Sequence, residues 1–509
     1  MDPEAAAARG PITISIMLAA VMSSLDSTIA TVAVPHMQAS LSAGPDQISW
    51  VLTSYIVAMA LTTPLVGVVA ARIGRKNLLL MSVLGFTLAS LACGIATSLP
   101  EMVFYRLLQG AAGASFMPLS QAILLDINPP EKHGSAMSIW SSGVVLGPIL
   151  GPALGGFLTE ELNWRWVFLI NLPVGVLAFT GVWLSMPRHQ AGEKRRFDIF
   201  GYAALALFIA ALQMFLDRGS TQDWFNSKEI WFELALALIG LYLFALHSAT
   251  TAHPFFDPAI LRDGNFLAGC LLGAMMGVLL YSAMAMTPPL TQQLLGYPVV
   301  TSGLVVMPRG FGMLAANVLA GRLARIVDAR VLVLTGLALN AYSSWQMSFF
   351  TLDMGAGPII FTGIVQGLGV GLIFVPIATV TFAYIPGALR NEAASLFTLT
   401  RNMGASIGIA TMQALFVRNS QAAHADLAPL TSADNPLLQG PQAGPYATST
   451  LNGLAALDHE LTRQATMISY IDVFHTAMIL SLCSMPLVLF MRPMKFARAA
   501  AAPPAPAPD

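Results

Sequence analysis

Long apolar runs recur along the chain and define its predicted elements. Each run holds about 18–25 mostly apolar residues, the length that an α-helix needs to cross the hydrocarbon core of a bilayer. The first run is too long for the core of a signal peptide. The pattern predicts about fourteen membrane-spanning helices, at residues 12–34, 49–71, 78–98, 102–125, 135–157, 166–186, 197–216, 230–250, 266–290, 301–321, 331–350, 358–378, 392–415 and 471–492.

Composition agrees with an all-α polytopic membrane protein. Of 509 residues, 56% are hydrophobic and only 10% are charged, whereas ordinary globular domains carry about 25% charged residues. The net charge is −1, so the chain has no global basic field, and we expect no nucleic-acid partner. Most of the lysines and arginines fall on one side of the predicted spans, and by the positive-inside rule both termini are cytoplasmic.

Signals for enzyme chemistry are absent from the sequence. There is no GxxxxGK[ST] phosphate loop, and His459-Glu460 lacks the second histidine of an HExxH zinc motif. The three cysteines, Cys93, Cys270 and Cys483, are far apart and predict neither a disulfide framework nor a metal site. We therefore expect no enzyme activity, cofactor or bound metal.

The two halves of the chain echo each other. Gln109-Gly110 recurs as Gln366-Gly367, and two glycines of the fifth span recur at the same spacing in the thirteenth. Such repeats predict two six-helix bundles around a central site. The predicted divisions are a first bundle at 1–190, an inserted helix pair with its loops at 191–262, a second bundle at 263–498 that includes an external loop at 416–470, and a disordered Ala/Pro tail at 499–509.

Glycine recurs every fourth residue in the fifth predicted span. On a helix these glycines form one stripe with almost no side chains, so a neighbouring backbone can approach closely. Prolines in the same span remove helix donors and bend it. The pattern suits two bundles pressed together, although alone it also fits ordinary helix packing. The residues concerned are Gly143, Gly147, Pro148, Gly151, Pro152, Gly155 and Gly156.

Several stretches resemble motifs of the major facilitator superfamily, specifically of its 14-span drug:proton antiporters of the EmrB/QacA type. Residues 25–35 resemble the first-span motif, residues 106–110 the fourth-span motif, and the glycine–proline stretch the antiporter motif. The loop between the second and third spans matches too, except that Ala71 stands where the family usually has Asp. The matching loop residues are Gly67, Arg72, Gly74, Arg75 and Lys76.

This resemblance implies the major-facilitator fold and a proton-coupled multidrug exporter of hydrophobic or amphipathic compounds in the bacterial inner membrane, surrounded by lipid. It also implies, for the EmrB branch, a periplasmic adaptor protein and an outer-membrane channel as partners, whereas QacA-like relatives act alone. The external loop suits such a partner but also suits a mobile loop. Two alternatives stay open: a dedicated exporter of an endogenous lipid, fatty acid or siderophore, and a non-transporting membrane receptor or scaffold.

Asp26 and Arg106 are the candidates for proton coupling. A charge inside a span costs about 2.5–3.5 kcal/mol on insertion scales, so an intramembrane carboxyl suggests function. A carboxyl that alternates between neutral and charged forms can carry a proton, although Asp26 also suits a structural hydrogen-bond partner. Arg106 keeps its proton, and in the resembled family this arginine takes part in coupling. Its alternative role is to bond backbone carbonyls of adjacent helices.

The candidates for the substrate cavity are two methionines, one glutamine and two arginines inside the spans. Arg309 and Arg401 are the other intramembrane cations, and each either faces a cavity or snorkels to the interface. If they face a cavity, they indicate anionic or weakly acidic amphipathic substrates. The complete predicted set is Met22, Gln109, Met117, Arg309 and Arg401.

Overall fold

The computed structural model describes residues 9–48, 50–129, 132–187, 197–219, 221–323, 326–431, 438, 441–446 and 450–491. Helices dominate this part of the chain, and no strand occurs within it. In lipid a helix satisfies its own backbone donors and acceptors, so long apolar segments fold this way. The predicted Ala/Pro tail at 499–509 lies outside the described residues.

Ten α-helical segments lie in the described part of the first half. They are α1 (Arg9–Ser40), α2 (Pro45–Ile48), α3 (Trp50–Thr62), α4 (Leu65–Ile73), α5 (Arg75–Ile95), α6 (Leu99–Gly113), α7 (Phe116–Ile127), α8 (His133–Glu161), α9 (Trp166–Leu169) and α10 (Asn171–Ser185). Helix α1 packs against α8 and α10, and α6 packs against α3 and α5. These contacts tie the first six predicted spans together.

Two helices follow, α11 (Ile199–Arg218) and α12 (Lys228–Thr250). They pack mainly against each other, and α11 also contacts α3 and a helix of the second half. Thr53 of α3 donates a hydrogen bond to Asp217 Oδ2 at 2.8 Å, which fastens the pair to the first half. The division into two bundles with an inserted pair at 191–262 stays a prediction.

Seven further α-helices occur among the residues that the structure describes in the second half. They are α13 (Pro258–Arg262), α14 (Gly264–Pro289), α15 (Val299–Leu323), α16 (Ala329–Met347), α17 (Ala356–Thr381), α18 (Arg390–Leu427) and α19 (Leu451–Ser484). Helix α17 packs against α15 and α16, and α18 packs against α14 and α19. The two halves meet where α8 contacts α15 and α17, and where α18 contacts α4 and α7.

The described helices agree with about fourteen spans. Ten continuous helical segments are long and apolar enough to cross a membrane, and α3 with α4 forms an eleventh, bent by 58°. The bend falls at Thr63-Pro64, where proline supplies no backbone donor. The remaining three predicted spans coincide with α6 and α7 together, α16 and α18.

The predicted external loop at 416–470 is helical at both ends. Helix α18 continues to Leu427, and α19 begins at Leu451, so both ends of this segment are regular helix. Polar and aromatic contacts hold the two extensions together. Asn419 Nδ2 donates to Asp472 Oδ2 at 3.1 Å, and the rings of Phe416 and Tyr470 lie 4.6 Å apart. These contacts explain why the helices continue beyond the apolar runs.

Candidate functional site

Asp26 lies at the centre of a buried polar network in the first half. Its side chain is 0% exposed, and that of Arg106 is 1% exposed. Arg106 Nη1 donates to Asp26 Oδ2 at 2.7 Å, while Gln109 Nε2 and Asn171 Nδ2 both donate to Oδ1 at 2.8 Å. An ion pair with added hydrogen bonds is the arrangement in which buried charges are tolerated.

The Arg106 guanidinium has further partners on α3 and on its own helix, α6. Its Nε donates to the Val51 carbonyl at 3.0 Å, and its Nη1 also donates to Gln109 Oε1 at 2.7 Å. Its central carbon lies 4.2 Å from the centroid of the Tyr55 ring, a cation–π contact. The three-residue spacing of Arg106 and Gln109 places both on one face of α6. The network therefore joins α1, α3, α6 and α10.

Sequence reasoning missed two members of this network. Asn171, at the start of α10, donates to Ser90 Oγ at 3.0 Å as well as to Asp26. Ser90 on α5 in turn donates to the Phe168 carbonyl at 2.8 Å. The sequence does mark Asn171 as a polar residue within an apolar run. It does not show that Asn171 contacts Asp26, because the two residues are 145 positions apart.

A cavity lies between the two halves, walled mainly by α8, α14 and α15. Methionine and aromatic side chains form much of its wall, and flexible thioethers adapt to irregular apolar ligands. Its lining residues are Ser24, Ser141, Val144, Val145, Pro148, Ile149, Met276, Leu280, Tyr281, Met284, Val306, Met307, Arg309, Gly310, Met313, Phe374 and Arg401.

Arg309 and Arg401 both line this cavity. They are 8% and 5% exposed, so neither snorkels to an interface in this structure. Arg309 Nη2 donates to Thr287 Oγ1 at 3.0 Å, while its Nε and Nη1 are buried without a hydrogen-bond partner. The Arg401 guanidinium lies 5.9 Å from the Phe374 ring centroid, and its Nε is also without a partner.

The other three predicted cavity residues do not line this cavity. Met22 is buried in the hydrophobic core of the protein, and Gln109 is held by its bonds to Asp26 and Arg106. Met117 packs against the same core as Met22. Their assignment to a substrate cavity stays a prediction.

The glycine stripe of α8 faces α1, within the same half of the chain. A Cβ added at Gly147 would lie 2.5 Å from the Ser24 carbonyl carbon and 2.7 Å from the Leu25 nitrogen. One at Gly151 would lie 2.2 Å from Thr28 Oγ1. The hydroxyl of Thr28 donates to the Gly147 carbonyl at 3.1 Å. The stripe therefore brings two backbones together inside one bundle, whereas we expected it between bundles.

Close approach between the halves depends on glycines of α15 instead. A Cβ added at Gly310 would lie 1.9 Å from Ile149 Cγ1, and one at Gly321 would lie 2.7 Å from Ser138 Cβ. Ser138 Oγ donates to the Asn317 carbonyl at 2.6 Å. Helix α8 thus packs through its glycines on α1 and through its other face on α15, so it links both halves around the cavity.

The comparisons with known proteins agree with this architecture. The family model of the Major Facilitator Superfamily matches residues 16–409. The chain belongs to the major facilitator superfamily. The xylose symporter XylE, described as a proton:xylose symporter of this superfamily, has a solved structure with a TM-score of 0.61 at 14% identity, covering 96% of both chains. This likeness shows the major-facilitator fold.

Named superfamily relatives match nearly the whole chain. The multidrug export protein EmrB of Escherichia coli K12 is 33% identical over 491 residues, which cover 94% of this chain and 95% of the relative. The fatty acid resistance protein FarB of Neisseria gonorrhoeae is 32% identical over 494 residues, covering 96% and 97%. The EmrB-type resemblance predicted from the motifs is confirmed.

The superfamily loop motif takes part in a charge cluster between the halves. Asp126 of α7 pairs with Arg75 of the motif and with Arg390 at the start of α18. A Cβ added at Gly67 would lie 3.0 Å from the Glu392 backbone, so the motif helix touches α18 directly. The carboxylate expected at position 71 is absent, but Asp126 supplies a charge contact between the halves.

The other motif residues shape the same loop. Gly74 has φ +86°, a conformation that favours glycine. Lys76 Nζ donates to the Trp183 carbonyl at 2.7 Å, and the Arg72 guanidinium lies 5.5 Å from the Phe197 ring centroid. Arg72 therefore contacts the segment that leads into the inserted pair.

We predict that Asp126→Asn loosens this end of the interface. The substitution removes the charge that Arg75 and Arg390 share, which at a partly exposed site is worth about 1 kcal/mol. Amide hydrogen exchange at the start of α18 should become roughly fivefold faster. Asp472→Asn, at the contact between α18 and α19, is the matched control and should leave this exchange unchanged. Equal exchange in the Asp126 variant and the parent would contradict the prediction.

Proposed function

We propose that this superfamily member is a proton-coupled exporter of structurally varied hydrophobic and amphipathic compounds. The observation that carries the proposal is the placement of the buried Asp26–Arg106 pair beside a cavity between the two halves. Helix α1 connects them, because Ser24 lines the cavity and Asp26, two residues later, holds the network. The full-length similarity to EmrB supports the export of more than one compound.

The network offers a route from protonation to movement. While Asp26 is ionised, its carboxylate accepts three hydrogen bonds, from Arg106, Gln109 and Asn171. Protonation would remove the charge that holds Arg106 and would convert one accepting oxygen into a donor. The contacts between α1, α6 and α10 would then rearrange. In the proposed cycle this rearrangement favours one of two orientations of the halves around the cavity.

The membrane potential and the proton gradient supply the energy in this scheme. One elementary charge that crosses the membrane gains about 2.3 kcal/mol per 100 mV. In this scheme the cavity wall binds compounds of different shapes, because Met276, Met284 and Met307 present flexible apolar surfaces. Export driven this way needs no nucleotide site.

Transport in reconstituted vesicles tests the proposal. Purified protein in proteoliposomes is given a pH gradient, and fluxes of protons and of several unrelated fluorescent amphipaths are followed together. Mutual competition among unrelated compounds, with proton counterflow, is the expected result. Transport of one compound without competition would instead identify a dedicated exporter. Absence of both fluxes in correctly inserted protein would identify a receptor or scaffold.

We also propose that the protein resides in a bacterial inner membrane with both termini in the cytoplasm, and that a partner protein docks on the extended ends of α18 and α19. The extensions lie beyond the apolar runs and expose Val417, Leu454 and Ile468, which supports a docking role. Site-specific crosslinking from Leu454 in native membranes should capture a discrete partner. Accessibility of tags at the two termini tests the orientation.

A further inference from the structure

The charge of the central cavity is unbalanced. Arg309 and Arg401 both lie in its wall, and no Asp or Glu occurs among the described residues that line it. The nearest candidate by sequence, Asp26, is already paired with Arg106 and is 0% exposed. Within the described part of the chain, no ion pair involves Arg309 or Arg401.

Both guanidinium groups keep unused hydrogen-bond donors. Among the described residues, Arg309 Nε and Nη1 and Arg401 Nε are buried without a hydrogen-bond partner, and the Arg309 Nη2 group donates to the neutral hydroxyl of Thr287. A buried charge is stable only when it is paired and hydrogen-bonded. Arginine holds acidic groups through several parallel hydrogen bonds. These unused donors point to an acidic group on a ligand.

The other side chains of the cavity wall indicate the chemistry of the rest of that ligand. Met276, Met284 and Leu280 contribute apolar surface, and the Phe374 and Tyr281 rings offer flat faces. Such a wall suits an apolar or aromatic body rather than a sugar or a small inorganic ion.

We propose that this cavity binds amphipathic anions, with Arg309 and Arg401 holding a carboxylate, sulfonate or phosphate and the methionine-rich wall holding the apolar body. The inference rests on the proposed export function, to which it adds the substrate class. It assigns charge selection to the second half of the chain and proton coupling to the first. Anionic lipids and free organic acids share this chemistry.

Two fluorescent probes of nearly the same shape test charge selection. 1-Anilinonaphthalene-8-sulfonate carries a sulfonate, and N-phenyl-1-naphthylamine has the same ring system without it. Saturable binding is measured by equilibrium dialysis with the full-length protein in phosphatidylcholine nanodiscs, corrected with empty nanodiscs. The variants are Arg309→Met and Arg401→Met. Arg322→Met, which changes an exposed arginine of the same helix as Arg309, is the matched control.

The parent protein should bind the sulfonate more tightly than the neutral probe. Each cavity variant should weaken sulfonate binding by about tenfold or more, because a charge-assisted hydrogen bond is lost, and should leave the neutral probe within about twofold. Arg322→Met should change neither. Binding of both probes with equal affinity, or equal loss of both in the variants, would overturn the inference.

Two further arms separate the possible outcomes. If phosphatidylglycerol in the nanodisc displaces the sulfonate from the parent protein but not from the variants, the anion site is supported and lipid is its source. Thermal unfolding shows whether the variants fold, and we expect no loss of stability because the arginines lack charged partners. Proton-driven efflux of the neutral probe tests the proposed function separately, since that result does not depend on anion selection.

Discussion

Replacing Asp26 with Asn is expected to abolish proton-driven export, reducing transport to the level of protein-free vesicles. The amide cannot bind and release a proton as the carboxyl does, and it presents a donor where the carboxylate accepts bonds from Arg106, Gln109 and Asn171. Substrate efflux and internal pH are measured together in proteoliposomes. Transport at the parent rate would contradict the coupling role.

The structure adds a stability cost to this substitution. In the variant, Arg106 would be left as a buried cation without its ion-pair partner. Removing one partner of a buried ion pair costs about 3–5 kcal/mol. The double variant Asp26→Asn with Arg106→Gln removes both charges. It should recover much of the lost thermal stability without recovering transport, which separates folding from coupling.

A second acid provides the control for this experiment. Asp217 lies at the end of α11, where Thr53 donates to it at 2.8 Å, and it is exposed. Asp217→Asn should therefore retain most proton-coupled transport. If both variants lose transport equally, the effect of Asp26→Asn reflects general damage to an acidic membrane protein rather than loss of a specific proton carrier.

The sequence predicted the helices well because each span is encoded locally. Apolar length gave the spans, and the intramembrane positions of Asp26 and Arg106 marked them as exceptional. It did not predict that Asn171 completes the Asp26 network, because that contact crosses 145 positions. Local pattern describes which residues are costly in lipid, whereas helix packing decides which of them meet.

The cavity residues also show what local sequence pattern predicts and what only helix packing decides. Arg309 and Arg401 were identified from their charge inside apolar runs, and both line the cavity. Met22 and Met117 were chosen from helix spacing near charged residues, but an apolar side chain carries no signal of which face it presents. Likewise Asp126, at the end of α7, supplies an interface charge that Ala71 cannot, and no local motif marked it.

Gly147→Ala is expected to damage the fold far more than Gly143→Ala, although both lie in one stripe. At Gly147 the new methyl would meet backbone atoms of Ser24 and Leu25 at 2.5 and 2.7 Å, which cannot move without shifting α1. At Gly143 it would meet the terminal methyl of Met17 at 2.4 Å, and a methionine side chain can change rotamer.

The difference should appear in both stability and transport. Overpacking of a tight core costs about 1–3 kcal/mol or more, so Gly147→Ala should lower the unfolding temperature and the yield of folded protein, while Gly143→Ala stays near the parent. Because α1 also carries Asp26, a displaced α1 would stretch the bond from Arg106 as well. Transport per folded molecule should therefore fall in the Gly147 variant. Equal tolerance at both positions would show that α1 and α8 are not held at backbone contact.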